Sequence, residues 1–448
     1  MEKLKYERPV INKIKAGVPD KFGMGTRIKT MPEIEGIPVK DIIKEYGSPV
    51  FVLSENKIRE TYNEAYRAFS TRYPKVQFSW SYKTNYLDAV CKIFHSEGSW
   101  AEVVSGFEYD KAQANNVDGS KIIFNGPDKS DEDLTKAIKN NSFIHIDHFD
   151  ELYSIIRISD NLNQKAKVAI RVNMDTGIYP QWDRFGFNYE NGEAWNALNR
   201  IMLSNNLELV GLHTHIGTYI LSASGYSVAA SKLAELAVKV HRKFNHHIKY
   251  IDMGGGFASN NTLKGAYLPG KDTCPSFDDY AESITSAIIN SEISPEHLPT
   301  LFLETGRALI DEAGYILGTV LANKRSSSAR RSTIVDIGVN LLFTSFWYDH
   351  EIYPAQESSQ QTEDTTIYGP LCMNIDVLRE AIQFPLLQKG DHVVIPRVGA
   401  YNMTQWMQFI TLRPNILLID KNKEIQVIRE KEDNSIFKDL EKVPEHLK

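Results

Sequence analysis

Cysteine is scarce in this chain. Cys91, Cys274 and Cys372 are the three in 448 residues, and they lie far apart. An odd, dispersed set excludes a disulfide scaffold and a cysteine zinc cluster. The expectation is therefore no metal centre and a reducing, cytoplasmic setting. No apolar run reaches the ~20 residues of a membrane span. The start, Met1-Glu2-Lys3-Leu4-Lys5-Tyr6, lacks the apolar core of a signal peptide. An excess of positive charge is missing too. With 51 Lys and Arg against 57 Asp and Glu, the net charge of −6 argues against nucleic acid as a main partner. There is no short internal repeat and no low-complexity tract. What remains is an ordinary globular composition, long enough for two domains.

From about 76 to 304 short apolar runs alternate with longer amphipathic stretches such as Ser227 to Phe244 and Asp278 to Asn290. The strand candidates are 76–82, 100–105, 121–125, 142–147, 167–173, 208–215, 248–253 and 300–304. Eight strand–helix units over this length predict a (β/α)8 barrel. After about residue 310 the pattern turns to short apolar or alternating runs, at Gly314 to Val320, Ser332 to Ile337, Asp391 to Val398 and Asn415 to Asp420. They predict a β-rich second domain. The expected division is an N-terminal segment, 1–45, joining the β domain through Val10 to Ile14 or Gly36 to Val39, then a barrel over 46–310 and a β domain over 311–448. Gln356 to Thr366, polar and acidic, reads as an exposed loop.

A barrel carries its chemistry at the C-terminal ends of its strands, and those ends are rich here. Lys83 closes Val76-Gln77-Phe78-Ser79-Trp80-Ser81-Tyr82. An ammonium at the mouth of a buried strand is costly unless paired or used, and partial burial lowers its pKa toward that of an amine nucleophile. Taken alone, a solvated strand-end lysine fits as well. His213-Thr214-His215-Ile216-Gly217-Thr218 closes the sixth strand, Asp252-Met253-Gly254-Gly255-Gly256-Phe257 the seventh, and Glu304-Thr305-Gly306-Arg307 the eighth. Gly254, Gly255 and Gly256 suit a phosphate cradle, or merely a tight turn; Thr218 and Arg307 on the same rim favour phosphate. His215 alone reads equally as a core histidine. Glu304 ends an apolar strand and needs a cationic partner, either Arg307 or the protonated nitrogen of a pyridine cofactor. Lysine, cradle, flat histidine and buried carboxylate together describe a site for pyridoxal phosphate.

At this point the chain resembles the fold-type III pyridoxal phosphate-dependent decarboxylases, the group that holds diaminopimelate, ornithine and arginine decarboxylases. The motifs stand in order from about 45 to 420: Ser81-Tyr82-Lys83-Thr84-Asn85, Glu102-Val103-Val104-Ser105, the three rim strings above, Tyr348-Asp349-His350, Tyr368-Gly369-Pro370-Leu371-Cys372 and Val398-Gly399-Ala400-Tyr401. The resemblance implies an alanine-racemase-type barrel with a C-terminal β domain, pyridoxal 5'-phosphate as cofactor and amino-acid decarboxylation as the reaction. It implies that Lys83 bonds the cofactor covalently and His215 stacks on its ring. Glu304 would pair with the ring nitrogen. Gly254, Gly255, Gly256, Thr218, Arg307 and Tyr401 would bind or flank the phosphate. Cys372 would give a proton to the substrate's Cα, reaching the site from the partner subunit of a homodimer with shared sites.

The departures concern the substrate. Thr305 replaces a proline common in the family. Met373 follows Cys372 where relatives that grip a distal ammonium place an acid. The arginine that diaminopimelate decarboxylases use for the distal carboxylate is missing between Gly338 and Tyr348. Asp349, next to Tyr348, matches the aspartate with which ornithine decarboxylases hold a distal ammonium, though it also fits an exposed turn. The expected substrate is a basic or diamino acid, or one modified at its distal end. The alternatives are diaminopimelate decarboxylase proper, making L-lysine, and an amino-acid racemase on the same fold. A homologue that lost catalysis and only binds a partner is a third reading, against which Lys83, Glu304 and Cys372 all stand.

Overall fold

The computed structural model describes residues 28–326, 329–358, 361–438 and 440–448. Its strands are labelled in chain order, starting with β1, Val50–Ser54. The next eight are β2 (Val76–Ser81), β3 (Trp100–Val103), β4 (Ile122–Phe124), β5 (Phe143–Ile146), β6 (Ala166–Asn173), β7 (Leu207–His213), β8 (Tyr250–Asp252) and β9 (Thr300–Leu303). They pair in parallel, in order, and β9 returns to β2. The result is a closed barrel with the eight strands expected from the apolar runs. One face of each strand fills the barrel and the other packs on helices, so the apolar run needs no alternation.

Helices follow most strands, from Asp88–Ser96 after β2 to Phe277–Ile289 after β8. The eighth place in the outer ring is filled from the other end of the chain. Helix Glu55–Ser70 precedes β2 and lies between Phe277–Ile289 and Asp88–Ser96. Its N-terminus is capped by the Ser54 hydroxyl, which accepts the Lys57 N–H at 3.0 Å. No helix among the described residues is long and apolar enough to cross a membrane.

The barrel interior is layered. Ile123, Ala169, Val210, Tyr250 and Phe302, with Trp100 and Phe143 against them, form an apolar floor. Two residues further along the same strands stand Asn125, Arg171, Asp252, Glu304, Glu102 and His145. A strand's period of two puts these on the same inward face, one layer nearer the mouth. Hydrophobic floor and polar layer are thus one repeated sequence step.

The second sheet contains β10 (Gly314–Arg325), β11 (Arg331–Val335), β12 (Tyr353–Pro354), β13 (Thr362–Tyr368), β14 (Val377–Pro385), β15 (His392–Pro396), β16 (Ile416–Ile419) and β17 (Ile425–Arg429). Strand β1 lies inside it, between β10 and β16. All five of its residues are buried: Phe51 and Leu53 face the main core, and Val50 and Val52 face a second cluster. Two expectations need correction here. The residues 50–54 were expected in the barrel unit, but they hydrogen-bond into the second sheet. The segment 362–366, expected as an exposed loop, is the start of β13. Its acids are neutralised across the sheet, Glu363 by Arg325 at 2.9 Å and Asp364 by Arg330 at 3.0 Å. Val10 to Ile14 lie outside the described residues. Gly36 to Val39 add no strand to the large sheet; Glu33–Ile34 and Ile37–Pro38 pair only with each other. With helix Val39–Tyr46 they cover the second cluster.

One buried ion pair ties the polar layer to the outer ring. Lys129, after β4, has a fully buried side chain whose Nζ reaches Glu151 at 2.7 Å, the Gly126 carbonyl at 2.6 Å and the His145 carbonyl at 3.0 Å. Glu151 also accepts the Asp147 N–H at 2.8 Å. Removing one partner of such a pair leaves an uncompensated buried charge. Glu151→Ala is therefore expected to lower stability by about 3–5 kcal/mol, read from urea unfolding. A midpoint equal to that of the parent chain would refute the role.

Candidate active site

Lys83 sits in a single 3₁₀ turn, Tyr82–Thr84, immediately after β2. The turn is held from the second domain. The Tyr401 N–H donates to the Thr84 carbonyl at 2.9 Å, the Thr404 hydroxyl donates to the Lys83 carbonyl at 2.9 Å, and Asn85 Nδ2 donates to the Gly399 carbonyl at 3.1 Å. The segment 398–404 thus fixes the backbone of the lysine whose side chain enters the barrel mouth.

The Lys83 ammonium donates to both oxygens of Glu102, at 2.8 and 2.6 Å. Glu102 is fully buried, and Lys83 is 39% exposed. Burial alone would lower the lysine, but the carboxylates of Glu102 and Glu304 outweigh it and hold it above its ordinary value. This reverses the lowered pKa expected from partial burial, because the sequence pattern did not show how many carboxylates share the layer. Glu108, also buried, is pushed by burial up to about 7.

Glu304 lies deeper. Its Oε1 accepts from Asn125 Nδ2 at 2.6 Å, and the same nitrogen donates to Glu102 at 3.1 Å. His145 stands 3.9 Å and His213 4.0 Å from its oxygens. Burial depresses both imidazoles far below their usual value, so they are neutral. The Glu304 carboxyl is pushed well up, first by burial and then by the neighbouring carboxylates Asp252 and Glu102. His145 is itself held at Nε2 by Tyr250 of the floor, 2.8 Å away.

The glycine turn after β8 works by close approach. A Cβ on Gly255 would stand 2.7 Å from the Glu304 carbonyl, and Gly256 has φ +95°. Of the N–H groups expected to cradle an anion, that of Gly254 goes to Asp252 at 2.8 Å and that of Gly255 to His215 Nδ1 at 3.1 Å. This second bond makes Nδ1 an acceptor and puts the hydrogen of neutral His215 on Nε2. Its ring is half-buried beside Trp182, with centroids 5.4 Å apart. Thr218 is exposed on the same rim.

Arg307 is buried and donates to the Tyr348 hydroxyl. The rings of Tyr401, Trp347, Tyr348 and Tyr219 surround its guanidinium at 4.7 to 5.7 Å. Glu304 is therefore not partnered by Arg307, one of the two cations expected for it. Asp349 lies 3.7 Å from Arg379 and accepts the Gly265 N–H at 3.2 Å, so it already has partners in its own chain. Cys372 is exposed on the loop between β13 and β14, and Met373 packs on the main core. That loop folds around Asp376, which accepts the N–H groups of Val339 and Leu371.

Lys83, Glu304, His215, the glycines, Arg307 and Tyr401 are thus gathered at one barrel mouth, while Cys372 stands apart on its loop. Glu102, Asn125, His145, His213 and Asp252 were not singled out as site residues, although Glu102, His213 and Asp252 lie in quoted motifs. For all but His213, which is three positions past Val210, a signal existed: a polar residue two positions after a floor residue on an apolar strand.

A family model for the pyridoxal-dependent decarboxylase pyridoxal-binding domain matches residues 58–311. A diaminopimelate decarboxylase of Aquifex aeolicus is 28% identical over 414 residues, covering 89% of this chain and 93% of the relative. That of Methanocaldococcus jannaschii is 29% identical over 434 residues, covering 92% and 95%. The crystal structure of diaminopimelate decarboxylase from M. jannaschii in co-complex with L-lysine superposes with a TM-score of 0.85 at 26% identity, over 97% of this chain and all of that one.

Neutralising Glu102 removes the strongest support of the Lys83 ammonium, so its pKa should fall. In Glu102→Gln without cofactor, the pH midpoint for labelling Lys83 with an amine reagent is expected to move down by about one unit or more. Mass spectrometry of the labelled peptide reads it. An unmoved midpoint would show that Glu102 does not set the lysine's charge.

Proposed function

Given that this chain belongs to the pyridoxal-dependent decarboxylase family, carboxy-lyases that act on amino acids with pyridoxal phosphate, we propose that its barrel mouth decarboxylates an amino acid whose distal end is basic, or is modified so that it carries no free carboxylate. The observation that carries the site is the hydrogen-bonded line Lys83–Glu102–Asn125–Glu304, which joins an amine at the mouth to a deep carboxylate.

The residues present fit the cofactor. The glycine turn runs too close to Glu304 and Gly217 for any Cβ, and Gly254 and Gly256 both have positive φ. Buried oxygens of Ser81, Thr84, Thr305, Asn125 and Asp252 have no hydrogen-bond partner among the described residues. A polar group at the mouth would answer such atoms. Bound there, pyridoxal phosphate supplies a protonated ring that accepts electron density from the breaking bond. Lys83 offers the amine of attachment. Glu304, neighboured by two neutral histidines, holds a proton at the ring nitrogen. His215 would present a flat, uncharged face to the ring, and Tyr401 and Arg307 would hold the phosphate. Cys372, exposed on its own chain, is assigned to the site of a second copy, where its thiol would protonate the substrate's Cα.

The substrate reading rests on the segment around Thr344, which lacks the family's arginine. Thr344 Oγ1 pairs with His350 Nε2 at 2.8 Å and with Asn402 at 3.0 Å. Burial, with Arg397 and Arg379 nearby, lowers His350 to about 3, so this imidazole is uncharged. The nearby cation Arg379 is already engaged by Asp349 and by the His350 carbonyl, and Met373 would offer a distal amine an apolar contact. A second reading, diaminopimelate itself, is favoured by the near full-length relatives of that name.

Carbon dioxide release across ornithine, lysine, arginine, their distally acylated forms and meso-diaminopimelate separates the two. An unpaired distal charge costs roughly 1–3 kcal/mol, so meso-diaminopimelate is expected to fall about 10- to 100-fold below the best basic or acylated substrate in kcat/KM. Diaminopimelate above every other compound would overturn the reading.

Shared sites in a homodimer give a separate test. Lys83→Ala chains, inactive alone, and Cys372→Ala chains, slow alone, should on mixing regain up to about a quarter of parental activity by statistical reassortment. No recovery despite demonstrated subunit exchange would place both residues in one chain's site.

A further inference from the structure

Asn125 stands just past the end of β4 and is held on both sides. Its own N–H donates to the Val103 carbonyl at 2.8 Å. The carbonyl of the next residue, Gly126, accepts from Lys129 at 2.6 Å, and Lys129 is anchored in turn by Glu151. The side chain is 4% exposed. A carboxamide nitrogen has two hydrogens, and here one goes to Glu102 and the other to Glu304. The amide orientation follows from this, since the reverse would set its oxygen against two carboxylates. The remaining oxygen, Oδ1, is buried with no partner among the described residues. A buried acceptor left unsatisfied is unfavourable, so both donor bonds must more than offset it.

The two carboxylates do different work. Glu102 is spent on the Lys83 ammonium. Glu304 faces Lys83 and Glu102 near the mouth, Asp252 on β8, and the neutral histidines His145 on β5 and His213 on β7. It accepts from the Asn125 amide at 2.6 Å.

We propose that Asn125 is a positioning residue for decarboxylation, one that separates Glu102 from Glu304 and aims the second at the ring nitrogen of the cofactor. The proposal rests on the cofactor reading above. Hydrogen bonds to a carboxylate favour its charged form. Without them Glu304 keeps its own proton to higher pH and supports a protonated ring less well.

The test compares holoenzymes of the parent chain, Asn125→Leu and Asn125→Gln. Leucine keeps the volume and removes both donors; glutamine keeps the donors on a longer arm. Three quantities are measured: the pH dependence of the visible absorption band of bound pyridoxal phosphate, kcat and KM for the best substrate, and the melting temperature. The Leu variant is expected to shift the pH midpoint of the band. Its kcat should fall about 10- to 100-fold with KM changed by less than about threefold, and Gln should restore part of both. A Leu variant with the parental band and kcat would overturn the role, and so would one that loses melting temperature alone. If Leu does not fold, Asn125→Ala decides, since it removes both donors without added bulk: a parental band and kcat there would overturn the role. A parent chain that binds no pyridoxal phosphate would instead refute the cofactor reading.

Discussion

A barrel interior admits few charges, and the contact that makes this one possible is the ion pair between Lys83 and Glu102. One buried carboxylate absorbs the ammonium, and an amide passes the remaining hydrogen-bonding demand to Glu304. Without that chain, Glu102, Glu304 and Asp252 would face one another across a space too dry to screen them. With it, the lysine is poised at the mouth and the deep carboxylate is pointed rather than loose.

Everything around this line serves to keep it in place. The aromatic floor supplies a rigid base, with Trp100, Phe143, Tyr250 and Phe302 in mutual ring contact. The Lys129–Glu151 pair locks the turn that carries Asn125. The second domain clamps the Lys83 turn through Tyr401, Thr404 and Gly399. Asp311 adds a further bolt, accepting from Ser259 on one side and from the Ala400 N–H on the other. A site between two domains needs such fastening, because a small rotation would carry the lysine away from its partners.

The same logic separates what belongs to the chemistry from what selects the substrate. The amine, the deep carboxylate and the flat histidine stand on or beside barrel strands. The groups that would meet the distal end of a substrate, Thr344, His350, Asp349, Cys372 and Met373, all stand on connections of the second domain. Loops can exchange residues at little cost to the core. In this chain those connections carry the Thr344–His350 pair and an aspartate already engaged by Arg379.

The sequence by itself determined the strand count, the position of Lys83 and the glycine turn, because each depends on neighbours a few residues away. Period, apolarity and a strand-end position are local properties. The carboxylate at Glu304 was legible for the same reason, but its partner was not: Asn125 lies 179 positions distant. Tertiary structure alone decided that the Lys83 amine is raised rather than lowered, since the sign depends on which carboxylates the closed barrel brings within reach. It also decided that Val50–Ser54, apolar on both faces, pairs with β10 and β16 rather than within the barrel. A fully apolar strand satisfies either environment, and only the pairing of chain segments hundreds of residues apart distinguishes them.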